Sequence, residues 1–448
     1  MKKWSIITAF WLLLWQGLAM LVDNVMLLPG PIDTIVALGK LISDSSFYLD
    51  VLATIGRTLS GLVLSLVLGV LLAVMAYKWH IVKDVLSLPI SFFKTIPVMA
   101  VAIYMILLMS AGSVPVLVCW VMCFPIVYTN MLTGLDSMDE KLLEMSVIYD
   151  ITGLSQIRYV YLPSLFPHFK SAINLVSGMS WKAIVTAEVL SIPRFSLGYE
   201  LMNAKYYLTT ENLFAYVAVI ILISYGFERL IKWWLEKSAP RPYEKSKVKG
   251  RRPLADYNGQ AASVRLVNVS KAFGDKQVQT NFSLALEPGK TTAIMGASGR
   301  GKTTIARLIA GLEHADAGEV KVDGQRISFL FQEDRLLPWL NVYDNLAIVN
   351  PDPSKILEVL KAVGLESDQW KLPGELSGGM SYRVAMARAF LYNAGLLIAD
   401  EPFRGLDEET RESVIAGLWN RGIEHKTVLL ITHSQSDADE LADKVVTI

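Results

Sequence analysis

At 448 residues the chain is long enough for more than one domain, and its 42 basic residues balance its 42 acidic ones. A net charge of zero argues against the basic excess that marks a nucleic-acid-binding domain. Hydrophobic residues make up 52% of the whole, but they crowd into long uncharged runs before about residue 235 and thin to an ordinary soluble balance afterwards. The chain therefore reads as a membrane part followed by a soluble part.

A helix needs ~20 mostly apolar residues to cross the hydrocarbon core. Residues 4–22 follow Lys2 and Lys3 without a charge, 58–77 form a second uncharged stretch, and 95–135 carry no charge at all. The last is long enough for two spans, with Gly112, Ser113, Val114 and Pro115 supplying the turn between them. Residues 172–191 and 213–231 complete a set of six, with Glu228 and Arg229 able to snorkel near the end of the last. An even number puts both chain ends on one side, and lysines and arginines choose that side. They stand before the first span, at Lys78 and Lys83, at Lys141, Arg158 and Lys170, and nine times from Arg229 to Arg252. The opposite loops hold only Lys40, Arg57, Arg194 and Lys205. Both ends and the soluble part are expected in the cytoplasm. Residues 1–22 also permit a cleaved signal peptide, but cleavage would leave five spans and put either the soluble domain or the positive loops on the wrong side.

Inside the apolar runs a few residues stand out. Cys119 and Cys123 lie four apart, a spacing that fits small packing residues in a membrane helix or, as the other reading, a metal or redox pair. Lys182 and Glu188 fall within the fifth expected span. Ionisable groups there cost ~2.5–3.5 kcal/mol each at the bilayer centre and usually face a cavity or a partner. Lys182 is expected either to favour an anionic solute or to snorkel or pair across a dimer. Residues 238–262 are basic, proline-bearing and poor in apolar groups, and read as a solvated tether, secondarily touching anionic headgroups.

From Val264 short β-rich runs alternate with helical ones, the pattern of an α/β domain. Residues 290–312 give strand, glycine-rich loop and helix in order, and Gly296, Gly299, Gly301, Lys302 and Thr303 fit a phosphate-binding P-loop. Its glycines let backbone N–H groups turn inward around phosphates, and the following helix adds its positive end. Lys302 would reach the β and γ phosphates, the Thr303 hydroxyl would hold Mg²⁺, and Ser298 and Thr304 belong to the same cradle. A second buried strand, Leu396 to Ala399, delivers Asp400 and Glu401 at its carboxyl end, where α/β folds place their ligands. Asp400 suits the Mg²⁺ shell and Glu401 the general base.

With these elements in place, the soluble part resembles the ABC ATPases. Leu376, Ser377, Gly378, Gly379 and Met380 are similar to that family's signature, Gln332 to its Q-loop, Gly405, Leu406 and Asp407 to its D-loop, and His433 to its switch histidine. Phe273 stands where the family stacks an aromatic on adenine. The resemblance implies two domains sandwiching two ATP molecules. Each site would take Lys302, Thr303, Gln332, Asp400, Glu401 and His433 from one copy and Ser377, Gly378 and Gly379 from the other. Gln332 would join Thr303 and Asp400 around Mg²⁺. The departures are Met380, where glutamine is commoner, and a short stretch from Lys302 to Gln332. Only 15 residues follow His433, so no regulatory tail is expected.

The cytoplasmic segment after the fourth span, within about 133–170, resembles the EAA loop of ABC importer permeases through Glu144, Asp150, Val160, Leu162 and Pro163. In importers that loop docks beside the Q-loop. Met145 and Ser146 replace the two alanines, and Asp150 replaces a glycine. If that position needs positive φ, Asp is among the less costly substitutes, with Gly153 able to make the turn instead. The permease as a whole is similar to the nitrate, sulfonate and taurine importer group, on residues 89–104, 181–191, 196–201 and 335–339.

The expected architecture is a type I importer-like membrane bundle of six spans over 1–237, a linker over 238–262 and an α/β P-loop ABC ATPase over 263–448. The resemblance implies an ATP-driven importer half in a bacterial inner membrane. Its partners would be a second copy, lipid, an external solute-binding protein and a small polar, often anionic solute such as a sulfonate, taurine, nitrate or thiamine-precursor pyrimidine. An exporter half-transporter is the alternative, but exporters need two long cytoplasmic loops and the loop after the second span reads as short, with Pro89 and Pro97. A membrane ATPase regulating an external enzyme is disfavoured because the longest external loop, about 23–57, is too small for a large external domain.

Overall fold

The computed structural model describes residues 2–238, 248, 260–297, 299–323 and 326–448. Most of the expected linker and the P-loop residue Ser298 lie outside the described residues. The chain divides into two compact units, one of residues 1–138 with 164–239, the other of 139–163 with 240–448. Of the candidate coupling segment, residues 139–163 thus belong to the same unit as the ATPase, and its two ends to the other.

In chain order the first helices are α1 (Lys2–Val22), α2 (Pro31–Ile42), α3 (Ser45–Lys78), α4 (His80–Thr95), α5 (Val98–Leu108), α6 (Val114–Asp136), α7 (Glu140–Ile148) and α8 (Gly153–Gln156). A π-helical turn (Ile157–Tyr161) precedes α9 (Leu162–Ser191), and α10 (Leu197–Tyr206) and α11 (Thr210–Ser238) follow. Among the described residues α3, α6 and α11 are each long and apolar enough to cross a membrane. The pair α4–α5, bent by 105°, makes a fourth if counted as one span. The third expected span, from Thr95 to the turn at Gly112, holds only the 11-residue α5, and the bend at Pro97 sets it off from α4. Pro97 lacks an N–H and pushes Ile96 into extended backbone, so the chain turns there. Nor is the segment after the second span a short loop: α4 is a 16-residue helix with Pro89 inside it. α1 and α9 stand where the first and fifth spans are expected. The described apolar part of α1, Ile6–Val22, is short for a span, and Lys170, Lys182 and Glu188 interrupt α9.

Close packing of α3 on α6 rests on missing side chains. A Cβ on Gly61 would stand 2.7 Å from Cys119 Cβ, and one on Gly69 would stand 2.6 Å from Val127 Cγ1. Small residues let helix backbones approach where lipid offers no hydrophobic drive between helices. Cys119 and Cys123 are free and fully buried as packing residues, Cys119 against Gly61 of α3 and Cys123 against the Val176 carbonyl of α9, 3.9 Å from its Sγ. Arg57 stands inside α3, not in the loop before it. Its guanidinium donates to Glu188 at 2.6 Å, while Thr54 (3.0 Å) and the Gly198 N–H (3.2 Å) donate to the same carboxylate. Glu188 is wholly buried and ties α3, α9 and the start of α10 together.

The second unit is built on two sheets. Strands β1 (Ser263–Phe273), β2 (Lys276–Leu286) and β4 (Ala317–Asp323) form an antiparallel sheet in the order β2-β1-β4. A parallel sheet runs β5-β6-β7-β3-β8, from β3 (Thr291–Met295), β5 (Ile327–Leu330), β6 (Leu396–Asp400), β7 (Thr427–Ile431) and β8 (Lys444–Thr447). β6 and β7 are buried along their whole length, as unbroken apolar strands covered on both faces should be. The helices are α12 (Lys302–Ile309), α13 (Val342–Ala347), α14 (Pro353–Ala362), α15 (Gly378–Leu391), α16 (Glu408–Val414), α17 (Asn420–Gly422) and α18 (Gln435–Leu441). Trp419 is fully buried with the Phe403 and Phe390 rings 5.1 and 5.7 Å away, and these centre the core on one side of the sheet.

Candidate nucleotide site and coupling segment

The carboxyl ends of β3, β6 and β7 converge on one cavity of about 350 Å³. Phe273, Gly299, Gly301, Lys302, Thr303, Thr304, Gln332, Asp400, Glu401 and His433 all line it, which unites residues spread over 160 positions of sequence. Gly296, Gly299 and Gly301 have φ of 155°, 81° and 82°. A side chain at Gly301 would also stand 2.5 Å from the Gln279 amide nitrogen, so both conformation and space demand glycine there. Lys302 donates to the carbonyls of Gly296 (2.7 Å) and Ala297 (3.1 Å), and burial pushes its ammonium down. These carbonyl bonds hold the lysine over its own loop, within reach of an anion in the cavity.

Thr303 donates to the Asp400 carboxylate at 2.8 Å. Burial raises the Asp400 carboxyl, which the Thr303 bond opposes. A hydroxyl beside a carboxylate, with the Gln332 side chain lining the same cavity, is a hard-oxygen donor set that fits Mg²⁺ sharing phosphate and water ligands. Glu401 has φ of 53°, the left-handed region that non-glycine residues adopt at a cost. Its carboxylate faces Gln332 Nε2 at 3.1 Å and His433 Nε2 at 3.2 Å.

Two partners of this arrangement were not singled out from sequence. Arg404 pairs with Glu401 at 3.3 Å. The Tyr382 hydroxyl donates to the carbonyls of Asp400 and Glu401, both at 3.3 Å. Arg404 lies three residues after Glu401, and Tyr382 lies in the helix after the signature. Neither spacing signals a role until the chain folds.

Ser377, Gly378 and Gly379 are not part of this cavity. Ser377 caps α15, accepting from the Met380 N–H at 3.3 Å, and leaves the first N–H groups of a 14-residue helix at the surface. Asp407 caps α16 in the same manner.

Residues 139–163 pack on the ATPase fold. Glu144, on α7, accepts from Arg307 at 2.6 and 2.9 Å and from Arg335 at 2.7 Å. Burial would raise its carboxyl, but the two arginines outweigh that and hold it below the ordinary value. Tyr149 is fully buried, donates to the Phe329 carbonyl at 2.9 Å and meets the Tyr392 ring edge-on at 5.3 Å. Asp150 has φ of 53° and Gly153 has φ of 58°, so both turn positions expected from sequence adopt the left-handed region. The Asp150 carboxylate accepts from the Tyr392 hydroxyl. Trp339 donates to the Tyr159 carbonyl at 2.8 Å. Arg388 of α15 is buried, donates to the carbonyls of Asp334 (2.8 Å) and Arg335 (2.9 Å), and lies 5.1 Å from the Tyr149 ring centre. One guanidinium therefore links α15, the segment after Gln332 and residues 139–163.

Comparison with known proteins agrees with both halves. Residues 279–404 match the family described as ABC transporter, and residues 65–241 match the binding-protein-dependent transport system inner membrane component. The chain is 40% identical over 202 residues to the aliphatic sulfonates import ATP-binding protein SsuB of Ralstonia nicotianae, covering 42% of this chain and 70% of that one. It is 40% identical over 192 residues to SsuB 2 of Streptomyces avermitilis, covering 41% and 76%. A solved dimeric structure of the ATP-binding cassette MJ0796 in a post-hydrolysis state, bound to ADP and Pi, aligns with 41% of this chain and 94% of its own, at 28% identity and a TM-score of 0.38.

Proposed function

Since the chain belongs to the ABC transporter family, a permease joined to its own ATPase, we propose that two copies form an importer that draws a small sulfonate-like solute into a bacterial cytoplasm. The family assignment makes it an ATP hydrolase coupled to transport. The finer reading rests chiefly on one observation: the P-loop cavity gathers ten expected residues of one chain but not Ser377, Gly378 and Gly379. A site that lacks half of its expected γ-phosphate donors within one chain is completed by a second copy.

In this reading Lys302 and the loop N–H groups grip the phosphates, Phe273 stacks on the base, and Thr303, Asp400 and Gln332 hold Mg²⁺. When bound, the ion neutralises phosphate charge. Glu401 accepts the proton of the attacking water, and Gln332 and His433 keep its carboxylate in place. The signature helix of the partner presents its N-terminus to the γ-phosphate, so nucleotide glues the two copies and hydrolysis releases them. Residues 139–163 carry that motion along the chain. An external solute-binding protein would deliver the cargo, and the sulfonate class follows from the names of the relatives.

Composite sites are tested by mixing copies. Lys302→Ala and Gly378→Asp each remove both sites of a homodimer. A doubly tagged mixed dimer retains one intact site and should trap labelled ATP at about half the wild-type amount. Trapping no better than in either pure variant would contradict the shared site.

A further inference from the structure

Of the two ionisable residues in α9, Glu188 is accounted for by Arg57 and Thr54. Lys182 is not: it is exposed, has no hydrogen-bond or ion-pair partner among the described residues, and with the exposed Glu228 lines an open groove of about 440 Å³ between α9 and α11. The lining follows from helical spacing. Trp181, Lys182, Val185 and Thr186 recur at three and four residues on one face of α9, and Ile220, Ile221, Ser224, Tyr225 and Glu228 do the same on α11.

Glu228 enters through a missing side chain. A Cβ on Gly178 would stand 2.7 Å from a Glu228 carboxylate oxygen, so the carboxylate lies against the α9 backbone one turn before Lys182. Four residues of helix rise ~6 Å, which brings cation and anion to neighbouring levels of one groove, yet no ion pair joins them among the described residues. Thr186, Ser224 and Tyr225 add hydroxyls. Trp181, 2% exposed, contributes apolar wall, and its indole N–H has no acceptor. Charged groups in membrane helices face a partner or a water-filled path. An open groove with one unpartnered cation and one unpartnered anion among the described residues offers both charges to a ligand that carries both.

We infer that this groove is a solute-binding site, with Lys182 for the anionic end and Glu228 for the cationic end of a small zwitterion. The inference rests on the importer reading and narrows it. A simple anion satisfies Lys182 but meets repulsion from Glu228, so zwitterions such as aminosulfonates are favoured over sulfonates that lack an amine.

The test uses cells of the native host lacking the gene and complemented with each variant. Uptake of labelled taurine, a zwitterion, is compared with that of isethionate, in which a hydroxyl replaces the ammonium. The melting point of the extracted protein checks folding. Wild type should prefer taurine. Glu228→Gln should lower the taurine-to-isethionate ratio about tenfold, and Lys182→Met should lower uptake of both by about tenfold or more. An unchanged ratio in Glu228→Gln, or full uptake in Lys182→Met, overturns the site and leaves import standing. Should a single variant melt early, the exchanged pair Lys182→Glu with Glu228→Lys decides. Taurine uptake in that pair supports the site, and its loss at the wild-type melting point overturns it. Uptake of neither probe that depends on the gene would contradict the sulfonate-import reading itself, and the site with it.

Discussion

The Tyr392 hydroxyl donates to the carboxylate of Asp150, a residue that holds φ of 53° at the turn of the coupling segment. The EAA pattern has glycine there. A glycine would adopt this φ without strain but would offer Tyr392 no acceptor. The departure from the family pattern thus exchanges conformational ease for a charge-assisted bond between the segment and the ATPase fold. Tyr392→Phe should leave ATP affinity intact and weaken solute-stimulated hydrolysis. A double-mutant cycle of Tyr392→Phe with Asp150→Gly should show a coupling energy of about 1–2 kcal/mol. Strict additivity would show the bond to be unused.

Glu144 is held by two arginines from different parts of the ATPase, Arg307 on α12 and Arg335 just beyond Gln332. Glu144→Gln should reduce stimulated hydrolysis about tenfold, with little change in ATP binding. Because its carboxyl is depressed from 4.5, the clamp contributes fully above that value and is lost as pH falls through the lower, folded one. Stimulation measured from pH 7 to 4.5 should lose nothing to this contact. A decline in that window that Glu144→Gln abolishes would contradict the assignment.

That Lys302, Thr303, Asp400, Glu401 and His433 meet at one cavity was legible in the sequence because each lies in a local pattern of a few adjacent residues. Arg388, Tyr149 and Tyr382 were not. They act through burial against elements far away in sequence, and nothing in their own neighbourhood marks them. The membrane half was legible in hydropathy but not in shape. Uncharged residues 95–135 read as two spans, yet the first part holds only the 11-residue α5, turned sharply from α4 at Pro97. Hydropathy marks an isolated charge such as Arg57 as a loop residue, whereas Glu188 satisfies it inside α3. In the sequence Glu188 and Lys182 are equivalent, two charges within one apolar run. Only the fold separates the paired carboxylate from the lysine without a partner.

Glu401 is expected to matter for turnover and not for binding. Glu401→Gln keeps the shape and the hydrogen bond from Gln332, and removes the base. Hydrolysis should fall about 10²–10⁴-fold while ATP-dependent dimerisation persists. Near-normal turnover would remove Glu401 from the role.

Lys426 tests the energetics of the soluble fold. Burial alone pushes its ammonium from 10.5 down to about 8, with the Phe390 ring centre 5.9 Å away. The unfolded chain therefore binds more protons between about 8 and 10.5, so stability rises with pH across that window and the penalty is complete below it. Lys426→Met should raise stability at pH 7 by about 1–2 kcal/mol and flatten the pH dependence. Thermal melts at pH 7 and 10 of both proteins check this, and a destabilised variant would contradict it.

The central claim is that ATP hydrolysis in this chain answers to a solute delivered from outside. The direct measurement is hydrolysis by the full chain in lipid nanodiscs, with and without its solute-binding protein, and with that protein empty or loaded with taurine or another sulfonate. Stimulation by the loaded binding protein alone is the predicted result. Hydrolysis indifferent to the binding protein, but raised by lipids or hydrophobic compounds, would contradict import and point to an exporter.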